Sequence, residues 1–395
     1  MPRFEPFPGI RYDRSRVPLE EVLAPPYDVI DTDLRAALVR RHDHNAVVID
    51  LPNEADGPGR YDAAQCTFRD WQDEGSLVTD PSPSFSVYRM TATYDGVEVR
   101  TTGVIGALEL SPPGTDILPH EHTTPKAKSD RLDLLRSCRA NLSPIWGLSL
   151  RKGLTALLPT DGEPWADVVD DEGVRHQLWR VDDPDQCAAI AAAVAEQPVV
   201  VADGHHRYET SLAYKGEREA ADGDPREAGS TMAYVVELVD EELTVQAIHR
   251  LLDGLPADFD FIAALAPWFE VVGPPPAGEP ITTAMVDAGT LAIVHAHGEL
   301  LLRPRPEALA EARDLDSSRL DVALASLPPH SLTFQHGVSN VRAAVGKGDA
   351  QAGILLRPAT VRQIEDTAHG GERMPPKTTF FAPKPKTGLV FRSLG

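Results

Sequence analysis

Residues Pro198 to Tyr214, reading P-V-V-V-A-D-G-H-H-R-Y-E-T-S-L-A-Y, constrain this chain more than any other stretch. Val199, Val200 and Val201 form a β-branched run the length of a buried strand. Gly204 breaks it, and from about Arg207 onward the sequence is compatible with a helix. The polar cluster therefore sits at a strand-to-helix turn. Such a turn projects backbone N–H groups and the positive end of the helix dipole outward, the geometry that binds phosphate or another anion. Asp203, His205, His206, Arg207 and Glu209 crowd around that spot, and a purely structural turn seldom needs an acid, two imidazoles and a guanidinium in a row.

The chain has 395 residues, enough for two or three domains, and its 42% hydrophobic and 25% charged residues are globular proportions. Acids outnumber bases, 60 against 38, for a formal net charge of -22. So negative a surface repels a phosphate backbone, so nucleic acid is not an expected partner. No apolar run approaches the roughly 18 residues that span a bilayer, and the N-terminus lacks the charged and apolar regions of a signal peptide. The expectation is a cytoplasmic protein with no membrane partner; a homodimer is left open. Cys66, Cys138 and Cys187 are scattered without C-x-x-C spacing, which argues against a disulfide framework or thiolate zinc site and for ordinary buried small side chains.

Along the chain, Ala24-Pro25-Pro26-Tyr27-Asp28-Val29-Ile30 is a rigid, Pro-rich path, after which Asp31 reads as the N-cap of a helix carrying Leu34, Ala37 and Leu38. Residues 46–51 read as a strand and 61–71 as a helix. The stretches 85–93 and 97–110 read as strands meeting at Asp95-Gly96. A second polar cluster, Leu118-Pro119-His120-Glu121-His122-Thr123-Thr124-Pro125-Lys126, precedes Asp130 and Arg131 at the start of an apparent helix. Further strands are expected at 143–149, 231–238 and 244–248, the last two as a hairpin, and a helix at 188–194. The charged residues 217–227 read as a solvated loop. The expected organisation is a mixed α/β core over 1–250 and a smaller α/β unit over 251–395. A Lys-rich end of that unit holds Lys377 and Lys384, and Phe380-Phe381 argues that the end docks on the body.

The clusters suit a phosphate ligand. Turn amides near Gly204 meet its oxygens, Arg207 grips two with its fork, and Lys377 and Lys384 add point charges. His205 or His206 neutralises developing charge, and Asp203 or Glu121 accepts a proton from an attacking hydroxyl. As a metal site the pattern is weaker. His120 and His122 flank Glu121, and Asp203 with His206 would complete a set, yet this is not H-E-x-x-H. Magnesium held mainly by substrate phosphates plus one carboxylate, Asp203, fits the carboxylates better. There is no G-x-S-x-G elbow, no Walker A sequence and no dinucleotide fingerprint; around Gly346-Lys347 a P-loop would need glycine at Val341 and Ser or Thr at Gly348.

Four motifs taken together resemble a known family. They are the segment 24–30, Leu118 to Thr123, Ala202 to Thr210, and Met374-Pro375-Pro376-Lys377-Thr378-Thr379-Phe380-Phe381 with Pro383-Lys384-Pro385. In this order they resemble the family catalogued as domain of unknown function 1015. The Asp-Gly-His-His-Arg turn is also similar to the signature of free-serine kinases built on a ParB/sulfiredoxin-like fold. That resemblance implies a phosphate-binding loop and, for some members, pyrophosphate as phosphoryl donor to free L-serine. It gives the expected function: a magnesium-dependent kinase making O-phosphoserine, with Gly204, His205, His206, Arg207, Lys377 and Lys384 on phosphate, and Asp203, Glu121, His205 and His206 in catalysis. His120, His122, Tyr208 and Glu209 are the expected contacts to the acceptor. The alternatives are a phosphoserine phosphatase or other metal-dependent phosphohydrolase, and a noncatalytic nucleotide- or phosphate-sensing module.

Overall fold

Two sheets organise the chain, each in its own unit. The computed structural model describes residues 1–94, 96–119, 128–370 and 373–395. One unit comprises 1–244, 368–372 and 383–395, the other 245–367 and 373–382. Both are mixed α/β.

In the first unit the sheet runs, edge to edge, through Ile117–Pro119, Val199–Asp203, Ile145–Ser149, Ser230–Glu237, Val97–Glu109, Phe85–Tyr94, Arg175–Val181 and Ala166–Val169; Phe4–Glu5 adds alongside Val97–Glu109. Gly106 makes room for that addition, because a Cβ there would stand 2.5 Å from the Phe4 ring and 2.6 Å from Phe85. One sheet face carries Val87, Val104, Val199, Val201 and Val235 into a core with Phe4 and Phe85. The helix Pro184–Ala195 covers it with Ile190 and Val194, and the helix His205–Asp222 with Tyr208. Each such burial contributes about 1.5–3 kcal/mol. The Val199 strand is parallel to Ile117–Pro119, with Val201 opposite Pro119, so both strands end at the same sheet edge.

In the second unit the order is Phe269–Gly273, Gly298–Pro304, Leu291–His295, Ala352–Leu355, Thr244–Asp253 and Ser331–His336, with Thr379–Ala382 added to Thr244–Asp253. Successive residues alternate between two cores. Leu291, Ile293 and Leu302 face Phe261, Leu265 and Leu320, while Ala292, Val294 and Leu301 face Ile281, Met285 and Val341.

Several local expectations differ from the structure. Residues 46–51 are not a strand: Val47–Asp50 is a short helix, with the Asn45 side chain accepting from the Val47 N–H and Val47 and Ile49 fully buried. Tertiary burial overrides the β-branched propensity. Ser230–Glu237 and Thr244–Asp253 form no hairpin, because each belongs to a different sheet. The charged residues 217–222 extend the His205 helix, which Gly223 ends in the left-handed conformation. Cys138 and Cys187 are buried, but Cys66 is exposed. Asp31 caps its helix through the Leu34 N–H as expected. Among the described residues no helix is long and apolar enough to cross a membrane.

Candidate active site

The Val199 strand ends at Asp203, and Gly204 turns the chain into the His205 helix with φ 83° and ψ 27°. Only glycine adopts this without strain, and a Cβ here would also lie 3.1 Å from the Arg207 guanidinium. The N-cap is Gly204, which has no side chain to cap the helix start, where the positive end of the helix dipole lies. Asp203 is the hub. Its Oδ1 accepts from Lys384 Nζ at 2.7 Å and its Oδ2 from Arg207 Nη2 at 3.2 Å, one helical turn away. Burial alone would raise this carboxyl, but Lys384, Arg207 and His205 outweigh it and hold the pKa at about 2. Asp203 is therefore an anion that aligns two cations. Arg207 Nη1 also donates to Ser143 Oγ at 3.3 Å and to the Pro144 carbonyl.

A second layer surrounds Arg207. The Tyr27 ring lies under two guanidiniums, Arg131 at 4.2 Å and Arg207 at 5.9 Å. Arg131 comes from the helix Lys128–Cys138; its Nη1 donates to the Asp50 carbonyl at 2.6 Å, and its Nε and Nη2 both donate to Asp130 Oδ2, at 3.0 and 2.8 Å. Asp130 also accepts from Arg60 and Tyr61, and these partners, against the opposing effect of its partial burial, bring its pKa to about 2.

Lys384 is held by its own segment. Two residues on, Lys386 Nζ meets Asp170 Oδ2 at 2.7 Å, and the Lys386 N–H donates to Tyr88 Oη at 3.3 Å. Asp170 also contacts His176 Nε2 at 3.1 Å, while His176 Nδ1 pairs with Tyr88 Oη at 2.7 Å. Burial lowers the His176 pKa, favouring its neutral form. Further along, Thr387 exchanges backbone hydrogen bonds with Ala24, and Arg392–Ser393 pairs with Ala140–Asn141.

Of the expected site residues, Asp203, Gly204, Arg207 and Lys384 come together, with His205 and His206 in the first helical turn and Glu209 in the next. Tyr208 is a correction. Its ring is 3% exposed in the core, and its hydroxyl is committed to Ser111, donating to the carbonyl at 2.6 Å and accepting from the N–H at 3.2 Å. One step along a helix is a rotation of about 100°, so Arg207 and Tyr208 face different surroundings. Lys377 belongs to the second unit, as an exposed residue with φ 59°. Glu121, His120 and His122 lie outside the described residues. Sequence reasoning gave no site role to Asp50 or Ser143, and placed Tyr27, Asp130, Arg131 and Thr210 in or near motifs without a role. No local signal marks Asp50, because its partner Arg131 lies 81 residues away.

The described residues contain no cluster of three or more His, Cys, Asp or Glu side chains able to hold a metal. Asp203 has both oxygens engaged by cations, so it does not by itself form a protein-held magnesium site.

No curated protein matches this chain. Among solved structures, a free serine kinase in complex with AMP is similar at 14% identity and TM-score 0.37, covering 70% of this chain and 88% of its own. A conserved hypothetical protein from Pyrococcus furiosus shares 14% identity at TM-score 0.34, covering 69% and 92%. A C-terminally truncated SbnI from Staphylococcus aureus shares 12% at TM-score 0.40, covering 72% and 86%. The family described as "Protein of unknown function (DUF1015)" matches residues 4–323, most of the chain, and this protein belongs to it.

Proposed function

We propose that this protein is a small-molecule phosphotransferase that moves a phosphoryl group from pyrophosphate to free L-serine, giving O-phosphoserine. One observation carries the reading: Arg207 and Lys384 are fixed on the two oxygens of Asp203 beside the start of an 18-residue helix. A compact polyanion needs those groups and no base pocket.

The serine hydroxyl attacks phosphorus, the bridging P–O bond breaks, phosphate leaves, and the hydroxyl proton passes to a carboxylate. Asp203 and Glu121 are the candidates. A carboxylate held at about 2 is a poor proton acceptor, which favours Glu121 for that step and leaves Asp203 to orient the cations. His205 and His206 meet charge on the transferred group, and His120, His122 and Glu209 contact the acceptor. Magnesium, arriving on the donor phosphates, supplies charge neutralisation. The core is of the ParB/sulfiredoxin-like kind, and the protein acts in the cytoplasm.

Mass spectrometry of purified protein with magnesium and L-serine tests this. O-phosphoserine is expected with pyrophosphate; product with ATP or ADP instead would replace the donor. Phosphate released from O-phosphoserine with no acceptor present, or ligand binding without turnover, would contradict the reading.

A further inference from the structure

Beside Arg207 lies a cavity of about 50 Å³, lined by Asp50, Arg131, Ser143, Arg207 and Thr210 among others. That volume exceeds what one water occupies and admits the head of a small molecule. Three of its lining residues are incompletely satisfied. Asp50 is 4% exposed, yet among the described residues its carboxylate oxygens meet Thr387 Oγ1 at 3.4 Å and Arg131 Nη1 at 3.6 Å, both longer than ordinary hydrogen bonds. Thr210, also 4% exposed, has a hydroxyl with no hydrogen-bond partner among the described residues. Arg207 Nε is a buried donor without an acceptor among the described residues. Asn141 and Ser211, by contrast, are satisfied by Met232 and Thr231.

A buried anion, a hydroxyl and a guanidinium N–H are complementary to one kind of ligand: a small molecule with an ammonium beside a carboxylate. Arg131, 3.6 Å away, and Arg207 offset part of the Asp50 charge, but Arg131 is too distant for an ordinary hydrogen bond to the carboxylate, a place that an ammonium can take. We infer that this cavity is the subsite for the head group of a small α-amino acid, with Asp50 as counter-ion to its ammonium, Thr210 as a second acceptor and Arg207 Nε facing its carboxylate. The inference rests on the phosphotransferase reading only for the fate of the ligand's hydroxyl; the binding stands on the cavity.

Calorimetric titration of the full chain with L-serine, glycine and L-glycerate tests it, glycerate having the carboxylate and hydroxyl without the ammonium. L-serine and glycine bind, and glycerate binds at least tenfold more weakly. Asp50→Asn, which keeps shape and removes charge, weakens L-serine roughly 30-fold, and Thr210→Val weakens it several-fold, with pyrophosphate affinity unchanged in both. Equal binding of glycerate and serine, no binding of any amino acid by the wild type, or unchanged serine binding by folded Asp50→Asn overturns the subsite. The two readings fail separately. Serine bound but never phosphorylated sinks the phosphotransferase and leaves the subsite; phosphoserine made by Asp50→Asn with unchanged KM for serine sinks the subsite and leaves the phosphotransferase.

Discussion

Asp203 and Asp50 show how two acids, the first partly exposed and the second buried, serve opposite ends. Burial opposes ionisation of both. At Asp203 the Lys384 and Arg207 charges win and lower the pKa from 3.8 to about 2; at Asp50 burial wins and Arg131 and Arg207 only moderate the rise. An acid whose folded pKa lies below its unfolded value stabilises the fold above the unfolded value, and that contribution fades as pH falls through the folded one. Asp203 therefore contributes about 2 kcal/mol at neutral pH, lost between about pH 4 and pH 2. Asp203→Asn is expected to lower the urea unfolding free energy by that amount at pH 7, and the gap to wild type should narrow as pH falls from about 4 toward about 2. A gap independent of pH would contradict the ion-pair account. Asp50 carries the opposite sign: its ionised form opposes folding as pH rises, so Asp50→Asn should melt no lower than wild type at pH 7 while losing its ligand.

The strand, the turn and the first turns of the helix after Val199 were legible in sequence because what defines them is local, whereas the last stretch to Asp222 was read as loop. A β-branched run, a glycine where φ must be positive, and Arg207 four residues after Asp203 suffice to draw the turn and its charge pair. Gly204→Ala tests that logic. Left-handed strain and the 3.1 Å approach to Arg207 should destabilise the protein by about 1–2 kcal/mol and, by pushing Arg207 off Asp203, lower kcat/KM at least tenfold. Unchanged kinetics would mean that the Arg207 placement is immaterial. The rest of the site was not legible, for a physical reason. Val47, Val48 and Ile49 carry strand propensity but are helical under burial, so Asp50 was read onto a strand and passed over. Asp50 meets Arg131 and Thr387 only through tertiary packing, at separations of 81 and 337 residues. The same limit misread Thr244–Asp253, whose partners are Ser331–His336, Ala352–Leu355 and Thr379–Ala382, and not the strand just before it. Tyr208 failed for a different reason: a motif names neighbours in sequence, and a helix sends neighbours in different directions.

At the scale of the whole molecule, a net charge of -22 surrounds a site whose cations Arg131, Arg207 and Lys384 are matched by Asp50, Asp130 and Asp203. A polyanionic donor is thus repelled at long range and held only at contact. Raising ionic strength from about 10 to about 100 mM shortens the Debye length from about 30 to about 10 Å, so kcat/KM for pyrophosphate should rise over that interval. A steep fall would indicate attraction by a basic surface that this composition does not provide. The central claim, that Arg207 and Lys384 on Asp203 form the seat of a transferred phosphoryl group, is tested most directly by phosphorus NMR of wild type and Arg207→Ala. Each is supplied with magnesium, L-serine and, in parallel, pyrophosphate, ATP or ADP. The account predicts an O-phosphoserine resonance growing with wild type and pyrophosphate and lost in folded Arg207→Ala; no phosphoserine with any donor, or equal turnover by the variant, would contradict it.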